Sequence, residues 1–306
     1  LIHADQLSMA WWGRLAAQMA GPHRPRTLLD EHNAIYLLTR RMADTEGNPV
    51  RRAIMAREAR AFARYEAEMC RAFDAILTVT EEDQEHLLAL FPPDEREQLA
   101  DKFSVVPICV DPEQVSPVVH QYSGAPTVLH LGTMFWPPNV HGVLWFAREV
   151  LPLVHQQVPK ARFVVVGKNP PAEVQALAAD PRIEVTGYVA DPVPYLEAAD
   201  AFVVPLHAGG GMRVKIVDAW LWGLPIVSTP IGAEGIKVLD EENLLLAEDA
   251  PDFARATVRF LTDPEINRQL RANGRAWVEA HYAWQTVYSG VDEIYERLLG
   301  AAGGQD

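Results

Sequence analysis

The segment from His207 to Asp218 places three consecutive glycines before two cations and a carboxylate. Its sequence is His-Ala-Gly-Gly-Gly-Met-Arg-Val-Lys-Ile-Val-Asp, with Arg213 and Lys215 directly after the glycines. Glycines let a backbone approach a ligand closely, and the amino end of a following helix offers free N–H groups and a positive dipole end. The pattern favours a diphosphate site, and a plain glycine-rich turn with surface cations is the alternative.

Asp218 lies on the same predicted helix as Arg213 and Lys215. A carboxylate there can accept hydrogen bonds from both hydroxyls of a ribose, or it can pair with one of the two cations on the helix surface. The segment lacks the Gly-Lys-Ser/Thr of a P-loop and the G-x-G-x-x-G spacing of a dinucleotide-binding fingerprint. The sequence therefore predicts a phosphate-binding loop of another kind.

The chain around this segment is acidic, with a net charge of −14 over 306 residues. This charge argues against a general nucleic-acid binder, so no nucleic-acid partner is expected, although a local cationic pocket is compatible with it. The length suits two domains of ~100–200 residues each. Two cysteines, Cys70 and Cys109, are too few for a disulfide framework, which favours a reducing, cytoplasmic location.

No apolar run reaches the ~18–20 residues that cross a bilayer, and Leu1–Asp5 lacks the basic start and apolar stretch of a signal peptide. One predicted helix carries a group of arginines: Arg51, Arg52, Arg57, Arg60 and Arg64. They form either a surface for an anionic lipid or acceptor, or a solvated face paired with Glu58, Glu66 and Glu68. Weak peripheral association with the inner membrane surface is therefore an alternative to a purely cytoplasmic location.

Short apolar strands alternate with helices along most of the chain. Residues 1–110 contain about four predicted strands, residues 111–126 form a proline-rich linker, and the alternation then continues from residue 127. Such alternation predicts an α/β protein with a doubly wound parallel sheet, in which ligands bind outside the carboxyl ends of the strands. The predicted loops at that edge begin at Gly132, Gly167, Gly187 and Pro205.

A series of motifs after residue 127 resembles the family-four glycosyltransferases with the GT-B fold. The donor-site signature of that family is similar to Gly209–Gly223, followed by Leu-Pro-Ile-Val-Ser-Thr at 224–229 and Gly-Ala-Glu-Gly at 232–235. Further matches follow in order, at Leu131–Met134, Trp136–Asn139, Val166–Pro170, Val185–Val189 and Tyr282–Trp284. The resemblance is strongest to the bacterial branch associated with exopolysaccharide and protein-sorting loci.

The resemblance implies two Rossmann-like domains that face a cleft. Residues 1–110 would form a partial acceptor-side domain and residues 127–282 the domain that binds the nucleotide-sugar donor. A helix at 283–300 would cross back to the first domain, with a tail at 301–306. Because family members usually carry further βα units before this point, we expect the start of the acceptor domain to be missing, with the sheet edge near Leu1–Ala4 exposed or covered by a partner, for instance in a dimer.

The implied activity is transfer of a sugar from a nucleotide-sugar, such as a UDP- or GDP-sugar, to an acceptor hydroxyl with retention of configuration. A glycan, a lipid-linked molecule or a small molecule would be the acceptor. No cofactor is implied, and the absence of a D-x-D motif fits a metal-independent enzyme with no metal ligands. A chain that binds nucleotide-sugars without turnover and a GT-B sugar-nucleotide epimerase are the alternatives.

The same resemblance assigns roles to individual residues. Arg213 and Lys215 would hold the diphosphate and stabilise the leaving nucleotide, and His32 would reach the transferred sugar; these three form the predicted catalytic set. Asp218 would bind the ribose. The other predicted donor-binding residues contact the base or the phosphates: Gly187, Tyr188 and Val189 for the base, and Gly132, Gly209, Gly210, Gly211 and Met212 for the phosphates.

Two departures from the family pattern bear on the donor. Gly210 stands where the family usually has the first carboxylate of its E-x7-E motif, and Met212 replaces the usual threonine. Backbone amides or other groups would then contact the sugar hydroxyls. His3, His130 and His207 also lie at or near predicted strand ends, but for each of them a packed or exposed imidazole is the favoured interpretation.

Overall fold

The computed structural model describes residues 1–22, 24–121 and 124–300. The predicted tail at 301–306 and residues 122–123 of the predicted linker lie outside the described residues. The chain divides into two compact units. Unit 1 contains Leu1–Cys109, Gly209–Met212 and the chain from Trp284 onward, and unit 2 contains Val110–Ala208 and Arg213–Ala283.

Unit 1 is built on a sheet of four parallel strands within the described residues, in the order β1-β2-β3-β4. The strands are β1 (Ile2–Asp5), β2 (Thr27–Glu31), β3 (Ala75–Thr78) and β4 (Phe103–Val105). The helices are α1 (Leu7–Met19), α2 (Ile35–Thr45), α3 (Pro49–Ala72), α4 (Glu81–Leu88) and α5 (Pro93–Ala100).

Capping residues explain where two of these helices begin. The Asn48 side chain accepts hydrogen bonds from two N–H groups in the first turn of α3, where Pro49 occupies the first helical position. Thr80 accepts from the N–H of Asp83 at 2.9 Å at the start of α4. Met69 and Cys70 on the apolar face of α3, and Phe73 just after the helix, pack into the same core as Leu29 of β2 and Ile76 of β3.

The structure corrects one interpretation of the charged residues of α3. The five arginines considered above, from Arg51 to Arg64, are exposed, in agreement with a solvated face. Glu66 is buried, however, with 0% of its surface exposed, and Glu68 pairs with Arg14 of α1. The predicted pairing of the arginines with Glu66 and Glu68 is therefore wrong, because both carboxylates have other partners within unit 1.

The described residues of unit 2 form six parallel strands in the order β10-β9-β8-β5-β6-β7. They are β5 (Thr127–Leu131), β6 (Arg162–Val166), β7 (Ile183–Gly187), β8 (Ala201–Val204), β9 (Ile226–Ser228) and β10 (Leu245–Leu246). The chain runs outward from β5 through β6 to β7 and then returns to the other side of β5 as β8. The predicted doubly wound sheet is confirmed, and its strand order reverses between β5 and β8.

Helices accompany the strands of unit 2. They are α6 (Pro137–Trp145), α7 (Leu151–Gln157), α8 (Ala172–Gln175), α9 (Val193–Glu197), α10 (Val214–Leu221), α11 (Ala250–Thr262) and α12 (Pro264–His281). A π-helical segment at Phe146–Val150 joins α6 to α7, and the last helix, α13 (Trp284–Gly300), belongs to unit 1. Phe146, Phe163 and Phe253 form an aromatic cluster in the unit 2 core.

Both cysteines are free, as expected from their number. Cys70 is buried and Cys109 is partly buried. Among the helices in the described part of the chain, none is both long enough and apolar enough to span a membrane.

Candidate functional site

The candidate site of unit 2 lies where the strand order reverses. The loop that begins at Gly132 follows β5, and the segment that leads into α10 follows β8, so the two lie next to each other at the carboxyl ends of neighbouring strands. The Gly132 N–H donates to the carbonyl of Val166 at 3.0 Å, which ties the β5 loop to the end of β6. Ligands of doubly wound sheets bind at such a reversal.

Lys215 of α10 reaches across to the loop after β5. Its Nζ donates to Oδ1 of Asn139 at 2.7 Å, and Nδ2 of Asn139 donates to the carbonyl of Thr133 at 2.9 Å. A Cβ at Gly132 would lie 3.1 Å from Lys215 Nζ and 2.8 Å from Asn139 Nδ2. Glycine at position 132 therefore leaves the space that the ammonium and the amide occupy.

Arg213 is buried just before α10, with 7% of its surface exposed. Its Nη2 donates to the carbonyl of Ile231 at 3.3 Å and lies 3.5 Å from Oε2 of Glu234. Glu234 belongs to the Gly-Ala-Glu-Gly segment that follows β9. A buried guanidinium held by a carboxylate and a carbonyl has a fixed direction, which suits recognition of an anion.

Burial shapes the charge of this site. Burial, followed by the nearby charge of Arg213, lowers the pKa of Lys215 to about 7. His130 of β5 is completely buried, and desolvation followed by the charge of Lys215 lowers its pKa to about 3. Its Nδ1 lies 2.9 Å from the carbonyl of Val203, so His130 is a neutral core imidazole, in agreement with the favoured interpretation.

The other predicted donor-binding residues of unit 2 lie on α10 and after β7. Asp218 is exposed on α10, and partial desolvation by the surrounding protein raises the pKa of its carboxyl group. Gly187 ends β7 with a φ of 71°, and the following Tyr188 is 75% exposed. Val189 is partly buried next to it. These groups lie at the carboxyl edge of the unit 2 sheet, which leaves the exposed Tyr188 ring accessible to a planar ligand.

The structure assigns the segment Gly209–Met212 to unit 1, together with His32. Arg41 Nη1 donates to the carbonyl of Gly209 at 2.7 Å. Gly211 has a φ of 68°, and a Cβ there would collide with the side-chain oxygen of Asn33. Position 211 therefore requires glycine both for its backbone conformation and for this close approach.

His32 follows β2 in unit 1 and lies between two carboxylates. Its Nε2 is 3.0 Å from Oδ1 of Asp5 and 3.7 Å from Oδ1 of Asp30. The contacts continue through His3, whose Nε2 is 3.6 Å from Oδ2 of Asp30 and whose Nδ1 is 2.9 Å from the Tyr295 hydroxyl. Burial raises the pKa of Asp30, although His32 and His3 act in the opposite direction.

Asp5, Asp30 and His32 form the one group within the described residues whose donor atoms are close enough to share a metal ion, all within 4.8 Å of one another. Exposed acidic groups commonly lie this close without a cation. The contacts around His32 are those of an imidazole oriented by carboxylates. The sequence prediction of no metal ligand stays a prediction.

Buried carboxylates hold the backbone that follows His32. Oε1 of Glu66 accepts from the N–H of Ile35 at 2.6 Å, and Oδ1 of Asp83 accepts from the N–H of Ala34 at 3.1 Å. Burial raises the pKa of Glu66 to about 7. Glu31, with 1% of its surface exposed, has its pKa raised to about 9 by burial and then by the charge of Glu66. These carboxylates position α2 at its amino end.

Sequence reasoning missed Asn139, Glu234, Glu66 and Asp83. Asn139 and Glu234 were part of the quoted motifs, but nothing in their spacing indicates that they contact Lys215 and Arg213. Glu66 is one of several carboxylates on a highly charged helix, and only its interval of three and four residues from buried apolar positions marks the inward face.

Comparison with known proteins finds a family match within unit 2. Residues 125–263 match the family described as Glycosyl transferases group 1. D-inositol 3-phosphate glycosyltransferase of Xylanimonas cellulosilytica is 27% identical over 253 residues, which are 75% of this chain and 58% of that protein. Across three curated relatives the chain spans between 34% and 58% of their length.

Solved structures establish the fold. Sucrose-phosphate synthase from Thermosynechococcus elongatus has a TM-score of 0.72 at 21% identity, covering 98% of this chain and 73% of that one. Anabaena Alr3699/HepE in complex with UDP has a TM-score of 0.72 at 14% identity, covering 96% of this chain and 78% of that one. The predicted α/β, GT-B fold class with Rossmann-like domains is confirmed by these likenesses.

Proposed function

We propose that this chain, which matches the Glycosyl transferases group 1 family over residues 125–263 and has the GT-B fold, transfers a sugar from a nucleotide-sugar to an acceptor hydroxyl with retention of configuration. The observation that carries the proposal is the pair of cations at the start of α10, where Arg213 is buried and the Lys215 ammonium meets the loop after β5. The family match over 125–263 and the location at the strand reversal support it.

In this proposal Arg213 and Lys215 bind the diphosphate of the donor. Breaking the bond between the sugar and the nucleotide leaves negative charge on the phosphate oxygen, and fixed cations stabilise that charge where it develops. Because Lys215 has its pKa lowered to about 7, the negative charge of a diphosphate would hold it in the protonated form. The Gly132 loop admits the phosphates beside the ammonium.

The nucleoside end of the donor is assigned to two other features of unit 2. Asp218 accepts hydrogen bonds from the ribose hydroxyls, and the backbone from Gly187 to Val189 lies against the base with the exposed Tyr188 beside it. The relatives point to uridine or guanosine nucleotides: the Anabaena protein was solved with UDP, and another relative is described as GDP-mannose-dependent. A UDP- or GDP-sugar is therefore the proposed donor class.

The transferred sugar is assigned to His32, with Asp5 and Asp30 fixing its ring. Gly210, at the position of the missing carboxylate, and the neighbouring glycines would offer backbone N–H groups instead of a side chain. Because two side-chain cations neutralise the diphosphate, the proposed transfer needs no metal ion. Excess EDTA should leave the rate unchanged, and a loss restored by a divalent cation would contradict that part.

The test is turnover with a panel of UDP- and GDP-sugars, monitored by release of the nucleoside diphosphate, with NMR spectroscopy of the product to assign its anomeric configuration. We expect release with at least one donor and an α-linked product from an α-linked donor. Binding without release would favour the binding-only alternative, and exchange of solvent hydrogen into the sugar ring would favour an epimerase. If none of the donors binds, the proposal is contradicted.

A further inference from the structure

Within the part of the chain that the structure describes, Asn139 links the Lys215 ammonium to the loop after β5 by hydrogen bonds to both. Its oxygen accepts from Lys215 Nζ at 2.7 Å while its nitrogen donates to the carbonyl of Thr133 at 2.9 Å. The residue is 4% exposed in the first turn of α6. The amide therefore uses both ends and has a defined orientation.

The local backbone is shaped to accept this bridge. The carbonyl of Trp136 receives the N–H of Asn139 at 3.0 Å, which fixes the first turn of α6. At Gly132 a Cβ would approach both the Asn139 amide nitrogen and the Lys215 ammonium, at 2.8 and 3.1 Å. The ammonium is thus confined between an amide on α6 and a glycine after β5.

We propose that Asn139 is a positioning residue for the phosphate site, which acts by holding the Lys215 ammonium against the Gly132 loop. The inference deepens the proposed function and rests on it, since it assigns to Asn139 the placement of a cation that the donor diphosphate meets. Asn139 does not touch the reacting atoms and acts through Lys215. A neutral amide orients the ammonium without neutralising it, so the positive charge stays available to phosphate.

The surroundings of Lys215 make this contact measurable. Arg213 beside it on the chain disfavours its charged form, and buried His130 of β5 is neutral and contributes no charge. The acceptor oxygen of Asn139 on α6 favours the ammonium. Removing that oxygen should lower the pKa of Lys215 below about 7, and replacing the amide by a carboxylate should raise it.

The experiment is NMR titration of the lysine side-chain resonances in the ligand-free chain, with Lys215 identified by its loss in Lys215→Met. Three variants are compared with the wild type: Asn139→Leu, Asn139→Asp and the control Asn273→Asp. Asn273 also donates its Nδ2 to a carbonyl, that of Glu242 at 2.8 Å, but it is exposed on α12. The control therefore introduces the same charge and removes the same type of bond.

We expect the Lys215 pKa to move down in Asn139→Leu, up in Asn139→Asp and not at all in Asn273→Asp. UDP or GDP affinity near neutral pH should fall about tenfold in Asn139→Leu, since a hydrogen bond to a charged group is lost. A role limited to folding would move the melting temperature without opposite pKa shifts in the two variants. If the Lys215 pKa is the same in all three variants, the inference is overturned.

This titration uses no donor, so it separates the inference from the proposed function. Opposite pKa shifts without turnover of any nucleotide-sugar would support the positioning role and contradict the transferase activity. Turnover of a nucleotide-sugar with an unchanged Lys215 pKa would support the transferase activity and contradict the positioning role. Should Asn139→Asp fail to fold, the downward shift in Asn139→Leu against the unmoved control still decides the result.

Discussion

Units 1 and 2 both end parallel strands at a polar edge, but the two edges carry opposite charge. At the unit 1 edge His32 lies between Asp5 and Asp30, above buried carboxylates. At the unit 2 edge the Lys215 ammonium lies beside Gly132, and the charge of Arg213 is near enough to lower the Lys215 pKa. The same topology therefore supplies two different chemical environments, and the side chains after each strand decide which one.

The two units also differ in the pKa shifts of the groups buried at these edges. Burial raises the pKa of Glu31 to about 9 in unit 1, whereas it lowers the pKa of Lys215 to about 7 in unit 2. Desolvation disfavours the charged form in both cases. In unit 1 this keeps an acid neutral, and in unit 2 it prepares a cation whose charge an anionic ligand restores. This difference supports the proposal that unit 2 binds the diphosphate.

The largest expected effect comes from removing a cation of unit 2. Arg213→Ala and Lys215→Ala should each lower turnover by about 10²–10³-fold, because a group that stabilises developing charge is lost. Arg259→Ala is the matched control, since Arg259 is also paired with a glutamate in unit 2 but lies on α11. Rates within twofold of the wild type in the first two variants would show that unit 2 does not bind the diphosphate.

Asp218→Ala should have a smaller effect, about tenfold on donor affinity, since hydrogen bonds to a charged acceptor are lost. Calorimetry measures the affinities for UDP and for its analogue that lacks both ribose hydroxyls. If Asp218 binds the ribose, the variant and the wild type should differ for UDP and agree for the analogue. An equal loss for both ligands would place Asp218 outside the ribose site.

Substitutions in unit 1 should reduce sugar transfer without changing nucleotide binding. His32→Ala and Asp5→Asn should reduce turnover by about two- to tenfold, the range of a neutral hydrogen bond. Nucleoside diphosphate affinity should stay at the wild-type value, and Asp101→Asn, at the C-terminal end of α5, is the control. Weaker nucleotide binding in either variant would break the proposed division between the two units.

The pH dependence of stability distinguishes the units by sign. Glu31 ionises near 4.5 in the unfolded chain and near 9 in the folded protein, so stability falls as pH rises between those values. Lys215 ionises near 10.5 unfolded and near 7 folded, so its contribution rises with pH in that window. Glu31→Gln should therefore remove a loss of stability with rising pH, and Lys215→Met should remove a gain of stability with rising pH. Each effect should amount to a few degrees in melting temperature.

The measurement for this comparison is a series of thermal melts from mildly acidic to alkaline pH. Glu31→Gln should melt above the wild type at alkaline pH and approach it near pH 4.5. Lys215→Met should show a flatter rise above neutral pH than the wild type. Parallel curves for both variants and the wild type would mean that neither group is perturbed.

Sequence patterns predicted the strands of both units and the loops that follow them, since short apolar runs and helix-capping residues are local signals. The segment after β8 was found because glycines and cations are adjacent in sequence. Asn139 and Glu66 could not be assigned, because their partners are distant along the chain and depend on how the elements pack. The structure begins α6 at Pro137, because proline is tolerated in a first helical turn.

The central claim is that the cations of unit 2 bind a diphosphate, and calorimetric titration of UDP and GDP near neutral pH tests it most directly. We predict that at least one of them binds the wild type, that proton uptake accompanies binding because Lys215 becomes protonated, and that Arg213→Ala and Lys215→Ala each weaken it. Proton uptake should disappear in Lys215→Ala. Equal affinity for wild type and both variants, with no linked proton, would contradict the claim.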